Sequence, residues 1–297
     1  MNLSNYSEVF PVGKTEEDIR IDKLVSIRLP KLSRSKWQEL INNGHVRVDG
    51  SRIKPSYRVS AGERVEIRVP EDFDSESLIP QDIPVEVVYE DDSLIGVNKP
   101  NSMVVHPGPG HEKGTLANGL IYLYEDLPNL PAPTRPGIVH RLDKETSGIL
   151  AVTRTAEAFF DLKDQFKNRE VDKEYIALVQ GGFDERSGLI DAPVGRSNKD
   201  KTKMTVKLGG KEARTEFRVI DERENSTLLK VKPVTGRTHQ IRVHMDYIGH
   251  KIIGDSYYGG PPAERLMLHA RRLTLRHPEK GTNLTLKAPE PEEFENN

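Results

Sequence analysis

The chain has no cysteine among its 297 residues, which excludes disulfides, thiolate nucleophiles and cysteine-bound zinc and suits a reducing compartment. Long apolar runs are missing too. The longest reach four or five residues, against the roughly 18 to 20 that a membrane-spanning helix requires. The opening stretch MNLSNYSEVFPVGKTEED lacks a signal-like apolar core, so a cytoplasmic protein with no membrane contact is expected. An excess of one charge is also absent: 44 Lys and Arg oppose 46 Asp and Glu, a net of −2. That balance by itself points to no partner. With 35% hydrophobic and 30% charged residues the composition is that of a globular protein, and the length suggests two domains, one large and one small.

Charge distribution says more than the total. Residues 20–69 carry twelve Lys or Arg against five acids, whereas residues 71–92 carry nine acids and no base, with Pro80 and Pro84 among them. Such a reversal reads as a solvated linker. The expected organisation is a basic N-terminal unit over 12–72, an acidic linker over 73–84 and a larger domain over 85–290. In the basic unit, IRIDKLVSIRL has near-helical apolar spacing, and SRSKWQELINNG opens on Ser33 as a candidate N-cap and closes on Gly44 as a C-cap. HVRVDG and ERVEIRVP then alternate like strands, the first ending in an Asp-Gly turn. Arg34 and Lys36, at a helix start, are candidate phosphate contacts. The segment from SRSKWQELINNGHVRVDG to AGERVEI resembles the small RNA-binding domain first described in ribosomal protein S-four. That resemblance implies a grip on structured RNA through phosphates and shape.

The larger domain mixes strands and helices without regular alternation, so the fold class expected is α+β with a mixed, mostly antiparallel sheet. Strand candidates are VEVVYE, SLIGVNK, GILAVTR, EYIALVQG, ARTEFRVI, TLLKVKP, RRLTLRH and LTLKAP. TLANGLIYLY, TAEAFFDLKDQFKNRE and RTHQIRVHMDYIG read as helices.

Two tempting sites fail on spacing and charge. GPGHEKGT lacks the four residues between glycines and the Lys-Ser/Thr end of a phosphate loop. His239 and His244 sit beside Arg237 and Arg242, which disfavours a cation, so no metal is expected. Asp143 is more informative, because it stands among His140, Arg141 and Lys144 just before the apolar strand GILAV. A carboxylate beside a guanidinium stays ionised and can act as nucleophile or electrostatic stabiliser. An ion pair that merely pins a loop would show the same pattern. Glu145 should point away from Asp143, since Thr146-Ser147-Gly148 suggests a turn. Further on, Thr238 can cap a helix whose His239, Arg242 and Asp246 lie opposite an Ile241, Met245 and Ile248 core stripe. That polar side could meet Asp143, RNA phosphate or water. Tyr175 alternates with Ile176 on a strand and could simply be a core tyrosine.

Taken together, HRLDKETSG, KEYIALV, KPVTGRTHQIRVHM with GHKIIGD, and LMLHARRL resemble the RNA pseudouridine synthases of the RluA/RluD type, over nearly the whole chain. The usual signature has Asp where this chain has Glu145. The resemblance implies that Asp143 is the catalytic nucleophile, Tyr175 a general base near the target base, and Arg242 the partner that holds Asp143 ionised. It also implies that Arg141 replaces a flipped-out uridine in the RNA stack and that Val231 walls the pocket, with His140, Arg237 and His239 as further RNA contacts. No cofactor is expected, because isomerising uridine imports no atom and no electrons. The partner implied is RNA, foremost large-subunit ribosomal RNA or its precursor particle, with transfer RNA as the alternative substrate, and the protein is expected to act as a monomer. Two rival functions fit parts of the pattern: an RNA-binding assembly factor without turnover, and a hydrolase using Asp143 on sugars or nucleosides.

Overall fold

The computed structural model describes residues 7–29, 32, 34–70, 73, 78–108, 110–128, 130 and 134–296. The candidate cap Ser33 and residues 74–77 of the expected acidic linker lie outside the described residues. In the N-terminal unit β1 (Ser7–Pro11) precedes α1 (Ile21–Arg28) and α2 (Arg34–Asn42), followed by β2 (Val46–Val48), β3 (Ser51–Arg52) and β4 (Arg64–Arg68). The four strands form one sheet in the order β1-β4-β2-β3. Its core joins Leu24 and Val25 of α1 and Trp37, Leu40 and Ile41 of α2 to Val46, Val48, Val65 and Ile67 of the sheet. The helix pair and antiparallel sheet expected from the sequence are thus present, with β1 as an unforeseen edge strand.

Local rules account for this unit closely. α2 ends where Gly44 adopts φ +81°, the Gly44 N–H donating to Ile41 O and the His45 N–H to Leu40 O. This is the glycine-terminated helix end that leaves no last-turn carbonyl bare. Asp49 and Gly50 both have positive φ, 48° and 75°, as a two-residue hairpin between β2 and β3 requires.

The second unit contains β5 (Glu86–Glu90), β6 (Leu94–Lys99), α3 (Leu116–Leu123), β7 (Ser147–Thr153), α4 (Ala156–Asn168), β8 (Asp172–Gln180), β9 (Ser187–Asp191), β10 (Val194–Arg196), β11 (Met204–Val206), β12 (Arg214–Glu222), β13 (Ser226–Pro233), α5 (Gln240–Tyr247), β14 (Leu268–Arg276), β15 (Asn283–Lys287) and α6 (Glu293–Asn296). Nine of these strands make one sheet, ordered β5-β6-β7-β14-β8-β13-β12-β9, with β15 paired to β14. Every pair is antiparallel except β7 with β14. All eight strand candidates fall in this sheet, and all three helix candidates are helices. β9 and the separate hairpin of β10 and β11 were not anticipated.

One core lies where α3 and α4 cover β6 and β7 (Leu116, Leu120, Leu162 on Ile95, Val97, Leu150). The other lies where α5 covers β8 and β13 (Ile241 and Met245 with Ile176, Leu178, Leu229 and Val231). α5 departs from expectation in two ways. Its cap is His239, in a left-handed conformation at φ 55°, not Thr238. Its polar side does not face away from the protein, because Gln240, Arg242 and His244 are as buried as Ile241 and Met245. The reason is that β10 and β11 pack on the far side of the helix through Val194, Met204 and Val206 around Val243. His244 is satisfied there by Thr215 Oγ1 at 2.8 Å and Ala192 O at 2.9 Å.

The single parallel pairing matters for what precedes β7. Gly148 sits opposite Ala270 with φ +114°, where a Cβ would collide with the Ala270 carbonyl. Only glycine lets the 140–147 segment run into β7 at this angle. Gly148→Ala is expected to cost about 2 to 3 kcal/mol of unfolding free energy. Denaturant unfolding of the purified variant measures the loss, and a change under about 0.5 kcal/mol contradicts this account.

Candidate active site

A cleft of about 500 Å³ opens between the segment 139–143, the end of α4, the start of β8 and the turn that leads into α5. Asp143, Arg141, Tyr175, Arg237, His239 and Arg242 all line it. Residues separated by about a hundred positions in sequence therefore converge, because β7 and β8 are both neighbours of β14 and α5 lies across β12 and β13, the latter paired with β8.

Asp143 is partly exposed and lies in a turn closed by Thr146 N–H donating to its carbonyl at 3.2 Å. The segment is anchored from beneath by Lys99, at the end of β6, which is fully buried. Its Nζ donates to Pro100 O (2.8 Å), Met103 O (2.9 Å) and Lys144 O (3.1 Å). Burial pulls the Lys99 ammonium down to about 7, with the charges of Asp143 and Glu145 opposing the fall.

Arg242 is 2% exposed and holds its orientation through Asp255, with Nε to Oδ2 at 2.8 Å and Nη2 to Oδ1 at 2.7 Å. Its Nη1 reaches Glu145 Oε2 at 3.4 Å. Among the described residues no ion pair within 4.0 Å joins Arg242 to Asp143, so the expected direct partnership is corrected. Asp255 takes the paired position, and Asp143 acts through its field. Burial works against the Arg242 charge, but Asp255, Asp143 and Glu145 together hold its proton more tightly than usual. Glu145, expected to point away, is drawn toward the same guanidinium.

Tyr175 is placed where Asp143 acts on it electrostatically. Burial first, and then that negative charge, push its phenol well above the ordinary range. Its phenol lines the cleft within the field of that carboxylate. Val231 is also corrected. It pairs in register with Tyr175 but is fully buried beneath α5 and does not line the cleft. His140 stacks on Phe166 at 4.5 Å and its Nε2 accepts the Ala151 N–H at 2.9 Å. Burial and Lys173 push it down to about 3, so it is a neutral wall of the cleft. His239 is likewise held neutral, chiefly by burial. Its Nδ1 lies 2.8 Å from the Tyr258 hydroxyl.

Arg141 is exposed at the rim and makes no ion pair among the described residues. Arg237 directs its Nε to Glu212 O at 2.9 Å. Arg34 and Lys36 belong to α2 and not to this cleft. Arg34 Nη2 pairs at 3.0 Å with Asp22, a fully buried carboxylate also held by Arg20 and Gln38, so part of its charge serves the N-terminal fold. Sequence reasoning did not assign Lys99, Gln240 or Tyr258. The amide of Gln240 is fully satisfied, accepting from Thr235 and Arg237 and donating to Arg214 O and Thr215, which fixes the turn ahead of Arg242. A lysine at a strand end and a glutamine in a helix carry no signal of burial.

Lys99→Met would leave three carbonyls without donors and is expected to cost about 2 to 4 kcal/mol. Because Lys99 binds its proton less tightly folded than unfolded, its destabilising contribution is full below about pH 7 and fades as pH rises toward 10.5. Wild-type stability should therefore gain relative to Lys99→Met between pH 7 and 9. Parallel unfolding curves for the two proteins at those pH values test it, and a constant difference contradicts it.

Residues 93–247 match the family model described as RNA pseudouridylate synthase, and residues 19–65 match the S4 domain. An uncharacterized RNA pseudouridine synthase of Bacillus subtilis is 41% identical over 287 residues, covering 95% of this chain and 94% of that protein. The ribosomal large subunit pseudouridine synthase D of Pseudomonas aeruginosa is 40% identical, covering 93% of this chain and 89% of that protein. Among solved structures, human RNA pseudouridylate synthase domain containing 1 aligns with a TM-score of 0.60 at 27% identity, over 70% of this chain and 84% of that one. With an S4 unit ahead of a mostly antiparallel catalytic sheet, and with relatives this similar along nearly its full length, the chain belongs to the RNA pseudouridine synthases of the RluA/RluD type and is an isomerase acting on RNA.

Proposed function

We propose that the protein converts specific uridines of large-subunit ribosomal RNA to pseudouridine, with Asp143 as the catalytic residue. The observation that carries this reading is the position of Asp143: a partly exposed carboxylate at the cleft, with no ion pair among the described residues, yet within the field of the fixed Arg242 guanidinium. A paired carboxylate would be a poor nucleophile. The similarity to proteins named as ribosomal large subunit pseudouridine synthases supports the choice of RNA.

The reaction breaks the bond from ribose C1′ to uracil N1 and forms one from C1′ to C5, while a proton leaves C5 and another joins N1. A base inside a helix cannot turn over, so the uridine must be everted, at a cost of a few kcal/mol in lost stacking. Arg141, exposed at the rim, fills the gap it leaves. Asp143 either attacks C1′ as the bond to N1 breaks and is later displaced by C5, or takes the C2′ proton as uracil leaves and returns it to C2′ when C5 bonds to C1′. In both routes the carboxylate is free again at the end and can accept the C5 proton while N1 gains one. The Tyr175 ring then serves as a flat face for the everted base and its hydroxyl as a donor. Arg242 stabilises negative charge that moves between Asp143 and the departing base.

Asp143→Asn should reduce product formation by at least about 1000-fold while RNA affinity changes by less than about 3-fold, because the change removes a transition-state interaction and not a phosphate contact. Pseudouridine mapping of RNA from cells with the gene, without it, and with the variant reads both substrate and residue. Sites lost only from transfer RNA would overturn the ribosomal assignment, and free uracil would indicate hydrolysis. Sites that persist in the Asp143→Asn strain would remove Asp143 from the chemistry.

A further inference from the structure

The hairpin of β10 and β11 and its flanking turns, residues 194–211, carry Arg196, Lys199, Lys201, Lys203, Lys207 and Lys211 against Asp200 alone. Elsewhere in this unit several cations are matched: the buried Glu174 carboxylate, for example, holds Lys230, Arg271 and Arg272. Among the described residues none of the six hairpin cations forms an ion pair within 4.0 Å. Asp200 is occupied by its own turn, accepting from the Thr202 N–H and hydroxyl at 2.9 and 2.6 Å. Long flexible cations without an acidic counterpart suit phosphate groups of an RNA backbone.

This hairpin is joined to the cleft through one side chain. The Tyr258 hydroxyl accepts the N–H of Met204, the first residue of β11, at 3.1 Å, and stands 2.8 Å from His239 Nδ1. The Tyr258 ring lies 5.2 Å from the Arg242 guanidinium and 6.0 Å from the Lys203 ammonium. The Tyr258 N–H also donates to Asp255 Oδ1 at 3.2 Å, the carboxylate that orients Arg242. Burial pushes the phenol up to about 12. With the hydroxyl donating to Nδ1 across the 2.8 Å contact, the imidazole hydrogen sits on Nε2, and this is the arrangement tested below.

We propose that Tyr258 is a positioning residue that couples the β10–β11 hairpin, acting as a clamp on RNA backbone phosphate, to the orientation of His239 and Arg242 in the cleft. The proposal rests on the reading of the cleft as the site of uridine isomerisation. It adds a link by which a contact to RNA outside the reacting nucleotide sets the geometry at the reacting one. Binding energy from the hairpin is then realised at the chemical step.

The test uses the full-length protein, total RNA from cells lacking the gene, and three variants: Tyr258→Phe, Lys199→Ala with Lys201→Ala, and all three changes together. Tyr258→Phe keeps the ring beside Arg242 and removes two hydrogen bonds. It should lower the single-turnover rate at saturating protein about 10-fold, with RNA affinity within about 2-fold and the melting temperature little changed. The lysine pair should weaken binding and lower the slope of log K against log salt by about 1 to 2. At saturation the triple variant should be no slower than Tyr258→Phe alone, since the hairpin acts on the rate only through that residue. Independent multiplicative effects, or a Tyr258→Phe loss that appears in affinity alone, would overturn the coupling. A second readout does not need turnover: long-range nitrogen NMR should find the His239 hydrogen on Nε2 in the wild type and redistributed in Tyr258→Phe. An unchanged tautomer sinks the proposal. Wild-type protein that makes no pseudouridine in any RNA of the pool, yet shows the tautomer change and the salt slope, would instead sink the reading of the cleft and leave the link standing.

Discussion

A buried guanidinium sets the terms for the rest of this active site. Arg242 is almost inaccessible, and a lone cation in such a place would be costly, so the surrounding structure is obliged to supply charge and orientation. Asp255 does both with two short hydrogen bonds in the same plane, Glu145 adds a longer contact, and Tyr257 and Tyr258 cover the faces. Because that network satisfies Arg242 without Asp143, the Asp143 carboxylate has no ion pair among the described residues and lies in the field of the guanidinium.

The same constraint explains why the helix bearing Arg242 is buried on all sides. A helix with one apolar stripe needs one neighbour, whereas α5 also has Arg242, Val243 and His244 to cover. The β10–β11 hairpin meets that need, and its apolar underside places its cations beside the cleft. One short element thus both covers α5 and presents a cluster of cations.

Protonation states in the cleft follow from burial more than from neighbouring charge. His140 and His239 lose affinity for a proton, Tyr175 and Tyr258 hold theirs, and Lys99 is brought near neutrality. The cleft therefore sets Asp143 among several cations, Arg141, Arg237 and Arg242 included, with uncharged histidines and a phenol between them. That arrangement suits a reaction in which charge shifts between a carboxylate and a base and no net proton is gained.

Much of this protein was legible in its sequence. Alternation and turn chemistry located the eight strands, and apolar spacing located the helices, because these depend on contacts within a few residues. The order HRLDKETSG, KEYIALV, GRTHQIRVHM identified the family, and with it the residues that line the cleft. What the sequence could not decide was which oppositely charged groups meet. Asp143, Glu145 and Asp255 are equivalent candidates for Arg242 on paper, and only the tertiary path, which buries Asp255 against α5 and leaves Asp143 at the opening, selects among them. Burial likewise turned Val231 from a pocket wall into core. Local pattern is written in neighbouring residues, but desolvation and long-range pairing belong to the assembled sheet.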